Sequence, residues 1–202
     1  MYSIIDVETT GGKFNEEGIT EIAIYKFDGN KIVDQFISLL NPEIPIQPFV
    51  QQLTGIHNKM LCNAPKFFQV AKRILEITDE TILVAHNSSF DYRMLKIEFD
   101  RLGYQFIIPQ LCTVNLSKKL IPEMESYKLG KLVKSLGIPL SNRHRAAGDA
   151  MATVELFKLL LIKDKNKDIV NKLIEKEDKK TTNKFATITK ELKNITGIYY
   201  LY

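Results

Sequence analysis

Tyr2-Ser3-Ile4-Ile5-Asp6-Val7-Glu8-Thr9-Thr10-Gly11-Gly12 opens the chain almost at its first residue. Residues 2–7 are a β-branched and apolar run, the composition of a strand, and Thr9-Thr10-Gly11-Gly12 is the turn chemistry that ends it. Side chains alternate across a strand, so Asp6 and Glu8, two apart, point to one face. In a strand this apolar that face belongs to the core, yet its end carries two acids. Desolvated carboxylates side by side repel, and one takes a proton unless a cation neutralises them. Mg²⁺ or Mn²⁺, hard ions that prefer oxygen ligands, would supply that cation. An Asp-x-Glu at a solvated strand end is common, so the motif's weight depends on its company.

Working outward, residues 19–27 and 31–40 read as two more strands joined through Asp28-Gly29-Asn30, a short loop that joins antiparallel neighbours. Pro42, Pro45 and Pro48 break regular structure before a short helix over 49–54, with Gly55 as its stop. Ala64-Pro65-Lys66 opens a helix to about residue 77, and residues 81–85 form a compact strand. Ser88 or Ser89 caps a helix over 90–102 that Gly103 ends. Residues 106–113 read as a short strand interrupted by Pro109. Leu129, Leu132, Val133 and Leu136 repeat at helical spacing up to Gly137, and a last helix runs from about 147 to 162.

Two more acids sit at helix starts, Asp91 after the 81–85 strand and Asp149 near the head of the last helix, with His144 five residues before it. Either alone is an ordinary helix N-terminus, where a negative charge is favoured. In order, however, Asp6-Val7-Glu8-Thr9-Thr10-Gly11, His86-Asn87-Ser88-Ser89-Phe90-Asp91 and His144-Arg145-Ala146-Ala147-Gly148-Asp149 resemble the three motifs of the DEDDh 3′→5′ exonuclease family, that of the proofreading epsilon subunit of bacterial DNA polymerase III. The resemblance covers about residues 1–162. The sister DEDDy group places a Tyr four before the last Asp; here that position is Arg145.

The resemblance implies an α/β, ribonuclease H-like mixed sheet, three antiparallel strands first, with helices on both faces. It implies two divalent metal ions (Mg²⁺ or Mn²⁺), about 3.5–4 Å apart in such sites. Asp6 would bridge both, Glu8 and Asp149 would complete the water-activating site, and Asp91 would hold the second through water. His144 would take the proton from the attacking water. By the same analogy Thr9, Thr10 and Gly11 form the turn against which the terminal nucleotide rests, and Phe90 is a stacking surface whose alternative is core packing. Leu53-Thr54-Gly55-Ile56-His57 resembles the family's pocket-lining segment, which makes Ile56 a substrate-binding candidate. His86 orients the loop before Asp91. Cys112 stands where relatives often carry an acid before Thr113.

Composition sets the bounds. The chain has 202 residues, 45% hydrophobic and 26% charged, enough for one domain and an appendage. No apolar run approaches the ~20 residues of a membrane helix, and no cleavable leader is evident, so the expected location is cytoplasmic. Cys62 and Cys112 make neither a disulfide framework nor a metal-ligand spacing. Residues 1–162 hold 18 Lys and Arg against 18 Asp and Glu, so net charge does not draw a polyanion to them. Residues 163–202 carry the whole excess, with a helix stripe at Ile169, Val170, Leu173 and Ile174 and a solvated linker over 175–183. Thr196-Gly197-Ile198-Tyr199-Tyr200-Leu201-Tyr202 resembles the opening of a GIY-YIG nuclease domain, or is a terminal strand docking on the same domain. No Gln-led clamp-binding peptide follows Ile162, which leaves a polymerase or clamp partner open.

The expected activity is removal of nucleoside 5′-monophosphates from single-stranded DNA 3′ ends, in proofreading or repair. RNA 3′-end trimming on the same fold is the near alternative, since sugar preference depends on contacts at the 2′ position. An inactive nucleic-acid-binding module is the rival from another class, and the intact acids and His144 argue against it. A metal-free two-carboxylate hydrolase leaves the other residues unexplained.

Overall fold

A computed structural model of the protein describes residues 1–175. Five strands form one mixed sheet in the order β3-β2-β1-β4-β5. β1 (Tyr2–Thr9), β2 (Ile19–Phe27) and β3 (Ile32–Leu39) are antiparallel neighbours, while β4 (Ile82–Ala85) and β5 (Gln110–Cys112) extend the sheet in parallel. Helices α1 (Pro48–Thr54), α2 (Asn58–Leu61) and α3 (Phe67–Thr78) precede β4, and α4 (Ser88–Arg101) follows it. α5 (Thr113–Leu120), α6 (Leu129–Ser135), α7 (Ala146–Lys163) and α8 (Asp168–Leu173) complete the chain.

The alternation of β1 divides the core. Tyr2 and Ile4 face α7, in a cluster with Ala23, Tyr25, Leu156, Phe157 and Leu160. Ile5 and Val7 face the other way, among Ile74, Leu75, Leu95 and Phe99 of α3 and α4. Asp6 and Glu8 therefore continue the α7 face past Ile4, as the two-residue period requires. The α/β, ribonuclease H-like expectation is met, helices on both faces included.

Several local expectations are corrected. The 106–113 strand shrinks to Gln110–Cys112, because β4 offers only a short parallel partner and Pro109 has no N–H to donate. Thr113 instead begins α5, a helix too short to declare a period in the sequence. Neither Ser88 nor Ser89 caps α4. Asn87 does so, in the left-handed region at φ 84°, which Asn tolerates better than most residues. α3 starts two residues after Pro65, with the Gln69 side chain accepting the Lys66 N–H at 2.8 Å.

Residues 164–175 stay against the domain. Asp164 accepts the amides of Ile169 and Val170, and Val170 is 1% exposed in the α7-side core. Gln110 and Glu175 then exchange both backbone hydrogen bonds at the outer edge of β5. The rest of the expected linker and the Thr196–Tyr202 segment lie outside the described residues. Among the described residues no helix is long and apolar enough to cross a membrane.

Candidate active site

β1 outruns β4. Their parallel pairing ends at Ile4 and Val84, after which β4 turns away through Asn87 into α4. The Val7 N–H thus has no strand partner on that side, and Asp91 of α4 supplies one, accepting it at 3.1 Å through Oδ1. Asp91 is 4% exposed. The register of β1 and β2 shifts between Glu8 and Thr9, a bulge at the point where the acids emerge.

Asp149 reaches the same place from the first turn of α7. Asp6, Glu8 and Asp149, all half-buried, each offer a carboxylate oxygen within 4.8 Å of the others. The loop ahead of α7 is built for this approach. His144 adopts φ 61° and donates its backbone N–H to Asp149 Oδ2 at 2.9 Å. Gly148 lies under the loop, where any β-carbon would collide with the Ser141 carbonyl oxygen, so the motif's glycine is required by close approach.

Such crowding of acids has an electrostatic consequence. Burial, then the charges of Asp91, Glu8, Asp149 and Glu21, raise the Asp6 carboxyl well above its usual range. Burial, then Asp149 and Glu21, push Glu8 up to about 7 against the counter-pull of Arg145. Burial raises Asp91 despite the Val7 N–H, and burial raises Asp149 despite its bond from His144 and the nearby Arg143 charge. Oxygen donors at this spacing, held at unfavourable charge, fit a hard divalent cation.

A pH dependence follows for metal-free protein. Carboxyls with raised folded-state pKa retain protons that the unfolded chain has released, so the folded state binds more protons and stability falls as pH rises. The window runs from about 4.5, the ordinary Glu value, through about 7 for Glu8. In EDTA, the thermal midpoint is expected to drop between pH 5 and pH 8, Glu8 alone contributing on the order of 3 kcal/mol. Mn²⁺ should restore more at pH 8 than at pH 5. A midpoint that stays flat or climbs over that range contradicts the electrostatic account.

Glu21, a residue the motifs do not single out, holds α7 against the sheet. It lies opposite Glu8 in the β1–β2 register and is 4% exposed. Its carboxylate accepts Arg145 Nε at 3.0 Å, Arg145 Nη2 at 2.7 Å and the Ala146 N–H at 2.9 Å. The signal was present: Glu21 is the one acid in Ile-Thr-Glu-Ile-Ala-Ile-Tyr, an otherwise core-forming strand. Glu21→Gln, which leaves Arg145 without its counter-charge, is expected to cost about 2 kcal/mol by denaturant titration. It should also lower kcat about tenfold at unchanged KM. An effect on stability alone would reduce Glu21 to scaffold.

His86 uses both ring nitrogens, Nε2 donating to the Tyr127 carbonyl at 2.8 Å and Nδ1 lying 2.9 Å from Thr113 Oγ1. Burial depresses its imidazole below the ordinary value, against that carbonyl bond. Its two bonds tie the end of β4 to the start of α5 and to the segment ahead of α6. His57 is exposed, its Nδ1 3.0 Å from Gln51 Oε1.

Two substrate-binding expectations are corrected. Ile56 is fully buried with Ile46, Val50 and Leu61, so it supports α1 from beneath and presents no surface to a nucleotide. Thr10 is also fully buried, its Oγ1 accepting the Gly18 N–H and donating to the Gly11 carbonyl. It is a joint between β1 and the β2 entry. Thr9 and Gly11 are half-buried beside it, and Gly11 abuts Val50 and the exposed Phe49. Phe90 is half-buried against the α3–α4 core. The Arg93 guanidinium lies 5.4 Å from its ring and 4.3 Å from that of exposed Phe14.

Residues 3–157 match the exonuclease family RNase_T. The chain is 38% identical over 162 residues to the DNA polymerase III PolC-type of Caldanaerobacter subterraneus, covering 80% of this chain and 12% of that protein. It is 36% identical over 157 residues to the 3′-5′ exonuclease DinG of Staphylococcus epidermidis, covering 77% and 17%. The chain thus spans under a fifth of these relatives' lengths. Exonuclease X, solved with 5′ overhanging duplex DNA, superposes with a TM-score of 0.66 at 30% identity, over 80% of this chain and 92% of that one. The nuclease domain of 3′hExo, a DEDDh family member bound to rAMP, shares the fold at a TM-score of 0.70 and 21% identity, over 81% and 92%.

Proposed function

The chain belongs to the RNase T exonuclease family, and on that premise we propose that it is a metal-dependent 3′→5′ exonuclease acting on single-stranded DNA ends, in cytoplasmic proofreading or repair. The observation that carries the reading is the convergence of Asp6, Glu8 and Asp149 within 4.8 Å from two distant segments. Support also comes from Exonuclease X, which was solved with DNA. The nuclease unit takes in residues 1–162, with 163–175 docked on it.

Asp6, Glu8 and Asp149 would hold one divalent cation, and Asp91 would add its charge from α4 to a second, Mg²⁺ or Mn²⁺ in each case. Bound ions of this kind lower the pKa of an attacking water and balance charge on the leaving oxygen. His144, poised beside Asp149, accepts the proton of that water as its oxygen bonds to phosphorus. The bond from phosphorus to the 3′ oxygen of the penultimate nucleotide breaks, the departing oxygen is protonated from solvent, and a nucleoside 5′-monophosphate leaves. Thr9 and the Gly11 backbone meet the terminal nucleotide, with Phe90 as a flanking ring.

Oligonucleotides of DNA and RNA carrying a 5′ label, incubated with Mn²⁺ or Mg²⁺ and with EDTA, test the reading. Stepwise shortening that EDTA abolishes is expected, faster on DNA. Metal-dependent shortening of RNA alone would move the substrate to RNA, and no degradation of either by folded protein would defeat the proposal.

A further inference from the structure

The acids of the site gather negative charge where a polyanion must end, and residues 1–175 as a whole are nearly neutral, with 22 Lys and Arg against 21 Asp and Glu. The distribution within them is uneven. Residues 118–145 hold seven basic residues (Lys118, Lys119, Lys128, Lys131, Lys134, Arg143 and Arg145) and only two acids, Glu123 and Glu125. Arg145 is consumed by Glu21. The other six are exposed, and none forms an ion pair among the described residues.

Arg143 is the most telling. Arg73, Arg93, Arg101 and Arg145 each pair with a carboxylate, on Asp34, Glu17, Glu98 and Glu21. Among the described residues Arg143 has no such partner, yet it is seated. Its guanidinium covers Gly130, 3.1 Å from the place a β-carbon would occupy, so the glycine lets it lie close against α6. Gly130 belongs to α6, between Lys128 and Lys131, and Tyr127, just ahead of Lys128, is tied through its carbonyl to His86 at the end of β4. On the other side Arg143 adjoins His144, and its charge acts on Asp149. A basic strip therefore runs outward from the acid cluster: Arg143 first, then Lys128 at the head of α6 and Lys131 in its first turn, whose N–H bonds to the Lys128 carbonyl.

We propose that Arg143, Lys128 and Lys131 bind the phosphates of the substrate strand upstream of its 3′ end, so that the strand leaves the site over α6. The strip deepens the exonuclease reading and rests on it for the identity of the strand. Exposed, unpaired basic side chains make contacts that release counterions, which leaves a measurable signature in salt dependence.

Binding without turnover is the test: fluorescence anisotropy of a 5′-labelled single-stranded 20-mer DNA in EDTA, across a salt series. For Lys128→Gln/Lys131→Gln/Arg143→Gln the Kd is expected to rise about tenfold or more. The slope of log Kd against log salt should shrink by about 2, three contacts at roughly 0.7 each. The pair Lys128→Gln/Lys131→Gln, at exposed positions with no bonded partner, should give about two-thirds of that slope change. Thermal midpoints establish that the variants are folded. Unchanged Kd and slope in folded variants would overturn the strip, as would wild-type binding with no salt dependence. Wild-type protein that binds with a steep slope yet shortens no oligonucleotide would support the strip and defeat the exonuclease reading, so the two failures are distinguishable.

Discussion

Asp6→Asn is expected to lower the rate of oligonucleotide shortening by on the order of 10³-fold or more, at saturating metal, while making the metal-free protein more stable. Both effects come from one cause. The Asp6 carboxyl is raised well above its usual range by burial and by Asp91, Glu8, Asp149 and Glu21 around it. Removing its charge relieves that repulsion, so in EDTA at pH 8 the thermal midpoint should climb by several degrees, at roughly 2–4 °C per kcal/mol for a chain this size. With metal present the sign reverses, because the wild type gains more from the cation than the variant does. Such a trade between stability and activity is the usual mark of a site held in a costly electrostatic state. Activity within tenfold of wild type, or a metal-free midpoint that falls, would refute this account of Asp6.

His144→Asn should lower kcat by about 10²–10⁴-fold, the range typical of a lost general base, with little change in KM. Asn is the informative replacement because residue 144 sits at φ 61°, a conformation Asn tolerates. It also keeps the backbone N–H that Asp149 accepts. Added imidazole should then restore part of the rate. If the imidazole ring instead only props the loop, external imidazole will do nothing and the metal-free thermal midpoint will shift.

Spacing made Asp6 and Glu8 legible in the sequence, whereas His144 was legible only through the resemblance of the three ordered motifs. A two-residue interval on an apolar strand is enough to place Asp6 and Glu8 on one face, and β1 follows that alternation through both cores. The antiparallel pairing of β2 and β3 was readable because Asp28-Gly29-Asn30 closes so short a connection. What escaped were features that depend on distant partners. β5 is three residues long because β4 is short, and no local signal announces the length of a neighbour. Ile56 was a candidate because its segment resembles the family's pocket lining, but whether that side chain faces in or out is decided by α1 and α2 packing together. Glu21 was visible as an oddity, yet its purpose depends on Arg145, 124 residues away.

The shortness of β4 bears on how mutational data at Asp91 should be interpreted. Because β4 stops at Ala85, Asp91 does for Val7 what the next strand residue would have done. Asp91→Ala therefore strips a buried amide of its acceptor and a reaction centre of its charge in one stroke, and a survey of inactive variants would confuse the two losses. Asp91→Asn keeps an oxygen for the amide and removes only the charge. The difference between those two variants separates architecture from chemistry at a position where one carboxylate serves both.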